Sequence, residues 1–281
     1  MVDVSVVFVN YNTCKLTCEA IQSVYDFTKN IKIEIILVDN NSIDNSIKTI
    51  SEKFPEVKII ESKKNLGFGK GNNEGMKIAK GKYFFLLNTD TYLLNNAIEI
   101  LFNYMENKKH GNVSICGAKL HKTDLSHNVS AGNFPSYKLF VKGSFLKYFY
   151  SKSFYSNIKR RDIPYESVNS FEVDYVSGAD FFVRKSIIDE VGGFDKHFFM
   201  YGEDVELSFR IKQRFPEMAS MIVPDAKIVH ISQGSSKTKS LSKKFRYRFI
   251  KSRAIYYKLT EGIIPSYLYF IISIKRLYIS N

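Results

Sequence analysis

The chain has 281 residues, 44% of them hydrophobic and 25% charged, with a formal net charge of +13. That balance excludes a disordered chain and leaves room for one full core, while the excess of Lys and Arg asks for an anionic partner. Cys14, Cys18 and Cys116 are too few and too unevenly spaced for a disulfide framework, and they lack the second pair that a zinc site needs, so a reducing cytosol fits best.

The segment Val4 to Val9 follows an acid and no basic leader, and its apolar run is too short for a signal peptide, so it reads as a buried first strand. Thr13 to Phe27 places Leu16, Ala20, Ile21 and Val24 at helical spacing, and Ile33 to Val38 is a second β-branched strand, which completes a βαβ unit. The alternation continues with a helix over Ser42 to Phe54, a strand over Val57 to Ile60, a helix over Gly71 to Ala79 and a strand over Lys82 to Leu87. A helix over 94–108 and a strand over 113–117 follow. This pattern predicts an α/β fold, a Rossmann-like and mostly parallel central sheet with helices on both faces.

After Lys119 the period is lost, and residues 121–170 read as an irregular insertion rich in Tyr, Phe, Lys, Ser and Asn. Order returns with a strand over 173–183, helices over 185–191 and 204–214 and a strand over 221–223. The expected organisation is one domain over 1–240, with a nucleotide-binding half at 1–118 and an acceptor-side half at 119–240, and a basic, aromatic helical tail over 241–281.

Polar residues gather at the ends of these elements. Asp90 ends the strand Lys82 to Leu87 through Asn88 and Thr89, Asp39 ends Ile35 to Val38, Glu203 and Asp204 open an amphipathic helix, and His230 follows Ile228 and Val229. The carboxyl ends of strands in such sheets are where metals and phosphates bind. Asp39, beside the loop of Asn10 and Asn12, can accept the imide N–H of uracil or thymine. The turn from Asn65 through Gly67, Gly69 and Gly71 to Asn72 opens a helix, and its backbone N–H groups can face phosphate oxygens. Asp204, at a helix N-terminus, is expected to stay ionised and to accept a hydroxyl proton as general base. Asp195, after Gly192-Gly193-Phe194, reads as a turn former.

In order, the segments Ser5 to Asn12, Leu37 to Asp44, Asn65 to Gly75, Asn88-Thr89-Asp90 and above all Val176 to Arg184 with Val191 to Leu207 resemble the family 2 glycosyltransferases of the GT-A fold. Within that family they look most like the rhamnosyltransferase-like branch of bacterial surface-polysaccharide synthesis. The resemblance implies an inverting transfer of a sugar from a UDP- or dTDP-sugar to a saccharide or lipid-linked glycan. It implies that Asn10, Asn12, Asp39, Asn65, Gly67, Asn72 and Asn88 line the nucleotide-sugar pocket. Asp90 would hold the Mg²⁺ or Mn²⁺ that bridges the donor's diphosphate, with His230 completing the site, and Glu203 would orient the acceptor beside Asp204. Asn88 stands where the family usually carries the first acid of its Asp-x-Asp motif, so it is assigned a sugar hydroxyl and not the metal.

No acid occurs between Asp225 and Glu261, and Lys243 to Tyr257 interleaves basic and aromatic residues. Two uses of that pattern stay open: contact with an anionic membrane surface, or a solvated basic face that packs Phe245, Phe249 and Tyr256 on the domain. The apolar stretch Gly262 to Ile274 carries Pro265 and falls short of the roughly 20 residues that a spanning helix needs. The expected location is cytoplasmic, at the inner face of the plasma membrane if the first use holds. Charge alone also allows a nucleic-acid-binding protein, but that reading leaves the strand-end acids unexplained, and no nucleic acid is expected. An inactive nucleotide-binding relative is the other alternative, against which Asp90 and Asp204 together argue.

Overall fold

A computed structural model describes residues 1–151, 153–154, 161–231 and 243–279. The first part alternates as expected: β1 (Val4–Asn10), α1 (Cys14–Phe27), β2 (Ile33–Asp39), α2 (Ser46–Lys53), β3 (Lys58–Glu61), α3 (Phe68–Ile78), β4 (Tyr83–Leu87), β5 (Thr91–Leu93), α4 (Ala97–Glu106) and β6 (Val113–His121). There follow β7 (Ala131–Gly132), α5 (Tyr137–Lys142), β8 (Phe171–Val173), β9 (Tyr175–Val176), β10 (Asp180–Arg184), α6 (Lys185–Val191), α7 (Glu203–Arg214) and β11 (Ala219–His230). Two helices, α8 (Lys243–Thr260) and α9 (Ile263–Ile279), form the tail.

One sheet runs in the order β3-β2-β1-β4-β10-β6-β11-β5, with β8 also paired to β11. Its central strands are continuous apolar runs because helices cover both faces. Val4, Val6 and Phe8 of β1 join Ile21, Val24 and Leu101 in one core, while Val7 joins Met76, Leu207 and Ile211 in the other. β1 lies parallel to both β2 and β4, and the strand order reverses beside it. A reversal of this kind opens a crevice at the carboxyl ends of the flanking strands, here the ends that carry Asn10, Asp39 and Asn88.

Several elements depart from the sequence reading, each for a local reason. The strand expected over 173–183 is broken into parts of three strands: Val173 ends β8, β9 pairs with β7 in a small second sheet, and after the turn Ser177-Gly178-Ala179 β10 enters the main one. β10 is antiparallel to both its neighbours, β4 and β6. The strand expected over 221–223 begins a longer one of 12 residues. Pro224 cannot donate to the ladder, and the register against β6 shifts between Val223 and Lys227, after which the strand continues and pairs antiparallel with β5.

The insertion and the tail meet. Tyr137, Val141 and Leu146 of the insertion pack with Phe198 and Val205 and with Tyr256, Tyr257 and Ile272 of the tail helices. Of the aromatics that one sequence reading packed on the domain, Tyr256 is buried, Phe245 lies tilted against Tyr201 with ring centroids 4.7 Å apart, and Phe249 stays exposed. Among the described residues, no helix is long and apolar enough to cross a membrane.

Candidate active site

At the end of β1, Asn10 is fully buried and its whole amide is engaged. Its Nδ2 donates to Asp39 Oδ1 (2.7 Å) and Ser42 Oγ (3.0 Å), and its Oδ1 accepts from the hydroxyls of Thr13 (2.7 Å) and Thr17 (2.9 Å). Both N–H groups being used, Asn10 acts by fixing Asp39 and has no N–H left for a nucleotide. Asp39, 1% exposed, takes the Ser42 N–H on its other oxygen at 2.8 Å. Each Asp39 oxygen keeps a second lone pair, so an imide N–H can still be accepted. Exposed Asn12, in the left-handed region at φ +57°, accepts the Ile43 N–H at 2.8 Å and ties the same two loops together. Thr13 Oγ1 lies 3.2 Å from Thr89 Oγ1, which brings the loop after β1 against the loop that carries Asp90.

β5, too short to be announced by any periodicity, decides where Asp90 sits. Thr91 is in register with His230 across β5 and β11, and this places Asp90 Oδ1 3.2 Å from His230 Nε2. Asn88 Nδ2 lies 3.4 Å from the same ring nitrogen. A carboxylate oxygen, the hard donor that Mg²⁺ and Mn²⁺ prefer, thus lies beside an imidazole nitrogen. Among the described residues, no group of three His, Cys, Asp or Glu side chains forms a metal cage.

Three N–H groups of the glycine turn are already taken within the chain. Gly67 N–H is taken by Asn65 Oδ1 at 2.9 Å, Phe68 N–H by the Phe199 carbonyl at 3.1 Å and Gly71 N–H by the Gly67 carbonyl at 3.3 Å. The glycines answer to packing: at Gly67, where φ is +83°, a Cβ would stand 2.0 Å from the Phe199 carbonyl oxygen. Asn72 is buried and its Nδ2 donates to the Phe68 carbonyl at 3.1 Å, while its Oδ1 has no partner among the described residues. Two asparagines that sequence reasoning passed over hold this region. Asn40 Nδ2 donates to the Gly67 carbonyl at 3.0 Å, and Asn73 clasps the Phe194 backbone by accepting its N–H and donating to its carbonyl, both at 2.8 Å.

Gly178, at the turn between β9 and β10, links the Asn88–Asp90 loop to the acids of α7. Its N–H donates to Asp204 Oδ2 at 2.9 Å, and the next carbonyl, that of Ala179, accepts the Asn88 N–H at 3.1 Å. Asp204 Oδ1 accepts the Val205 N–H at 2.9 Å. The helix N-terminus was expected to hold Asp204 ionised, but burial outweighs these N–H groups and the Arg253 charge and pushes its pKa up. Glu203 is 3% exposed, and its Oε2 has no partner among the described residues. Burial, then the charge of Asp204, pushes Glu203 up to about 8. At neutral pH it is therefore the neutral acid, and any part in orienting an acceptor would fall to a hydroxyl donor and not a carboxylate.

Asp195 is a turn former as expected, accepting the His197 N–H at 2.7 Å. Glu206 is occupied by Arg210 through two bonds of 2.9 Å, and Arg210 also reaches the Gly193 carbonyl at 2.8 Å. Those two residues brace α7 against the Gly192-Gly193 turn.

Comparison with known proteins agrees with this geometry. Residues 5–190 match the model of glycosyl transferase family 2. Over 184 residues the chain is 29% identical to the rhamnosyltransferase WbbL of Escherichia coli (strain K12), covering 63% of this chain and 65% of that one. Over 209 residues it is 25% identical to the N-acetylglucosaminyl-diphospho-decaprenol L-rhamnosyltransferase of Mycobacterium tuberculosis (strain ATCC 25618 / H37Rv), covering 70% of this chain and 66% of that one. The matched chain thus spans just under two thirds of each of these relatives. Among solved structures, S. aureus TarS 1-349 superposes with a TM-score of 0.56 at 13% identity, over 92% of this chain and 73% of that one. GalNAc-T7 with UDP, GalNAc and Mn²⁺ superposes with a TM-score of 0.62 at 15% identity, over 93% of this chain and 51% of that one. The fold is that of the GT-A glycosyltransferases, and the chain belongs to glycosyl transferase family 2.

Proposed function

We propose that the chain is an inverting glycosyltransferase that moves a hexosyl or rhamnosyl group from a UDP- or dTDP-sugar to a hydroxyl of a saccharide or lipid-linked glycan, in the synthesis of a cell-surface polysaccharide. The observation that carries this reading is the continuous path of contacts from Asp39 through Asn10, Thr13 and Thr89 to the Asn88–Asp90 loop, and on through Ala179 and Gly178 to Asp204. That path connects the residues to which we assign base reading, metal binding and proton removal. The M. tuberculosis relative named above is a rhamnosyltransferase whose name specifies a diphospho-decaprenol acceptor, and TarS has been solved with UDP and with UDP-GlcNAc.

In the proposed reaction Asp204 accepts the acceptor hydroxyl proton as that oxygen attacks the anomeric carbon. The bond from that carbon to the diphosphate breaks with its electron pair staying on the diphosphate, and attack from the opposite face inverts the centre. The transition state has oxocarbenium character by analogy with other glycosyl chemistry. Asp90 and His230 would hold the divalent ion, which when bound supplies positive charge against the leaving diphosphate. Asn88, within reach of that site, can hydrogen-bond a sugar hydroxyl.

Thermal unfolding with UDP, dTDP, GDP or CDP, each with Mn²⁺, Mg²⁺ or chelator, tests the reading, because a ligand that binds only the folded chain raises its stability by about 2.7 kcal/mol at a hundred times its Kd. UDP or dTDP is expected to raise the Tm with metal and much less with chelator, and Asp90→Asn should remove the metal-dependent part. No response to any nucleotide would sink the proposal.

Peripheral attachment to the cytoplasmic face of a membrane belongs to the same proposal. Ile263, Tyr267 and Ile271 recur at helical spacing on α9 and are exposed together with Ile264, while Lys244 and Lys251 of α8 are exposed beside the aromatic Tyr247. The protein should co-sediment with vesicles rich in phosphatidylserine at low salt and be released as salt rises. Failure to pellet at low salt would remove the membrane contact and leave the transferase untouched.

A further inference from the structure

The insertion and the tail border a cavity of about 730 Å³, within the range of about 300–1,000 Å³ in which small-molecule sites lie. Its lining is mostly polar and mixes two kinds of surface. Phe134 on the insertion and Tyr257 on α8 present rings, while Ser136, Asp162 and Tyr175 bring oxygen atoms. Among the described residues, the side chains of Ser136, Asp162 and Tyr175 make no hydrogen bond and no ion pair within the chain. A Cβ at Gly132 would stand 2.5 Å from the Tyr175 hydroxyl oxygen, so the glycine leaves that hydroxyl its place. Charges of both signs face the cavity: the Asp162 carboxylate, the Arg253 guanidinium, which lies over the Phe249 ring at 5.3 Å, and Arg161, which is tied to Glu172 at 3.0 Å. A lining of that balance selects neither an anion nor a cation.

Unpaired hydroxyls and a carboxylate beside aromatic rings match the surface of a neutral sugar. The sugar's hydroxyls donate to a carboxylate and exchange bonds with other hydroxyls, and its apolar C–H face packs on a ring. The cavity stops short of the candidate base, since neither Glu203 nor Asp204 lines it. It lies next to that base all the same. Tyr175 stands three residues before Gly178, whose N–H holds Asp204, and burial first and the Asp204 charge second push the Tyr175 phenol up to about 12. A sugar in the cavity is therefore a neighbour of the one whose hydroxyl meets Asp204.

We propose that this cavity holds the sugar adjoining the reacting one, so that the acceptor is a neutral glycan of at least two units, read by Asp162, Ser136 and the Tyr175 hydroxyl. This rests on the transferase reading and deepens it by naming the acceptor class. It also gives the chain a place in a reaction sequence: an earlier sugar transfer must supply the two-unit acceptor, and a single sugar is a poor substrate.

Saturation-transfer NMR on the full chain, without nucleotide, tests this with lactose, maltose, cellobiose and N,N′-diacetylchitobiose, each beside the methyl glycosides of its own sugars. At least one disaccharide is expected to bind more tightly than its single sugars by on the order of tenfold, the worth of one hydrogen bond to a charged group. Asp162→Ala and Tyr175→Phe should each weaken that binding several-fold, while the Tm rise with UDP and metal persists in both. Asp162 is exposed, so its replacement leaves the fold intact. Failure of the wild type to bind any of the four disaccharides overturns the proposal, as does equal affinity in the wild type and both variants. A disaccharide that binds no better than its single sugars overturns the two-unit requirement. Absence of a UDP response in the wild type would instead count against the donor reading, so the two failures are separable.

Discussion

Asp204→Asn is expected to lower sugar transfer by on the order of 10²- to 10⁴-fold, the range for loss of a positioned base, while nucleotide binding persists. The carboxylate has two oxygens, each accepting one backbone N–H, from Gly178 and from Val205. An amide can accept only one of these, so the variant should also lose about 1–3 kcal/mol of stability, and transfer must be compared well below its Tm. Burial raises the pKa of the wild-type carboxyl, so it takes up a proton at a higher pH than an ordinary aspartate. The rate should accordingly fall on acidification above the usual aspartate range, and that limb should vanish in the variant's residual activity. Transfer by Asp204→Asn at the wild-type rate would remove Asp204 from catalysis.

Glu203→Gln should change how stability depends on pH more than any other single replacement at the site. The carboxyl titrates near 4.5 when unfolded and is pushed up to about 8 in the fold, by burial first and by the Asp204 charge second. Between those values the folded chain holds a proton that the unfolded chain has released, so stability falls as pH rises. The contribution is fully present below about pH 4.5 and is lost by the time pH passes about 8. Because the group is buried, the effect is on the order of a few kcal/mol. Glutamine mimics the neutral acid at every pH. Between pH 5 and 8.5 the wild-type Tm should therefore drop relative to that of Glu203→Gln, with the gap largest at the alkaline end. Parallel curves for the two proteins would mean that Glu203 is not held protonated.

The strands that lie in the middle of the sheet were legible because helices on both faces demand unbroken apolar runs, and β1, β2 and β4 stand within a residue or so of where those runs begin and end. The positions of Asp39 and His230 at the ends of β2 and β11 were legible because each follows such a run. What stayed hidden depended on contacts between distant segments. Nothing in Thr91-Tyr92-Leu93 announces a strand, yet its register against β11 is what joins Asp90 to His230. The glycines of residues 67–71 looked like a phosphate loop because flexibility and close packing leave the same mark in a sequence, and only the Phe199 carbonyl shows which applies at Gly67. The direction of the Asp204 shift was missed for a similar reason: a helix N-terminus can be read locally, but burial cannot.

The seating of β10 between β4 and β6 has a consequence for the order in which the chain can fold as it is made. Residues 83–87 and 113–121 leave the ribosome before residues 180–184, which must slide between them and run the other way. Until then β3, β2, β1 and β4 can pair among themselves, whereas β6, mostly buried in the finished fold, has neither of its neighbours. A nascent chain in that interval carries an unpaired, sticky strand and an open edge on β4, the condition that invites aggregation. Fragments that stop short of Arg184 should inherit that fate, so a fragment ending near residue 118 should not be stable, because the cut would pass through β6 itself.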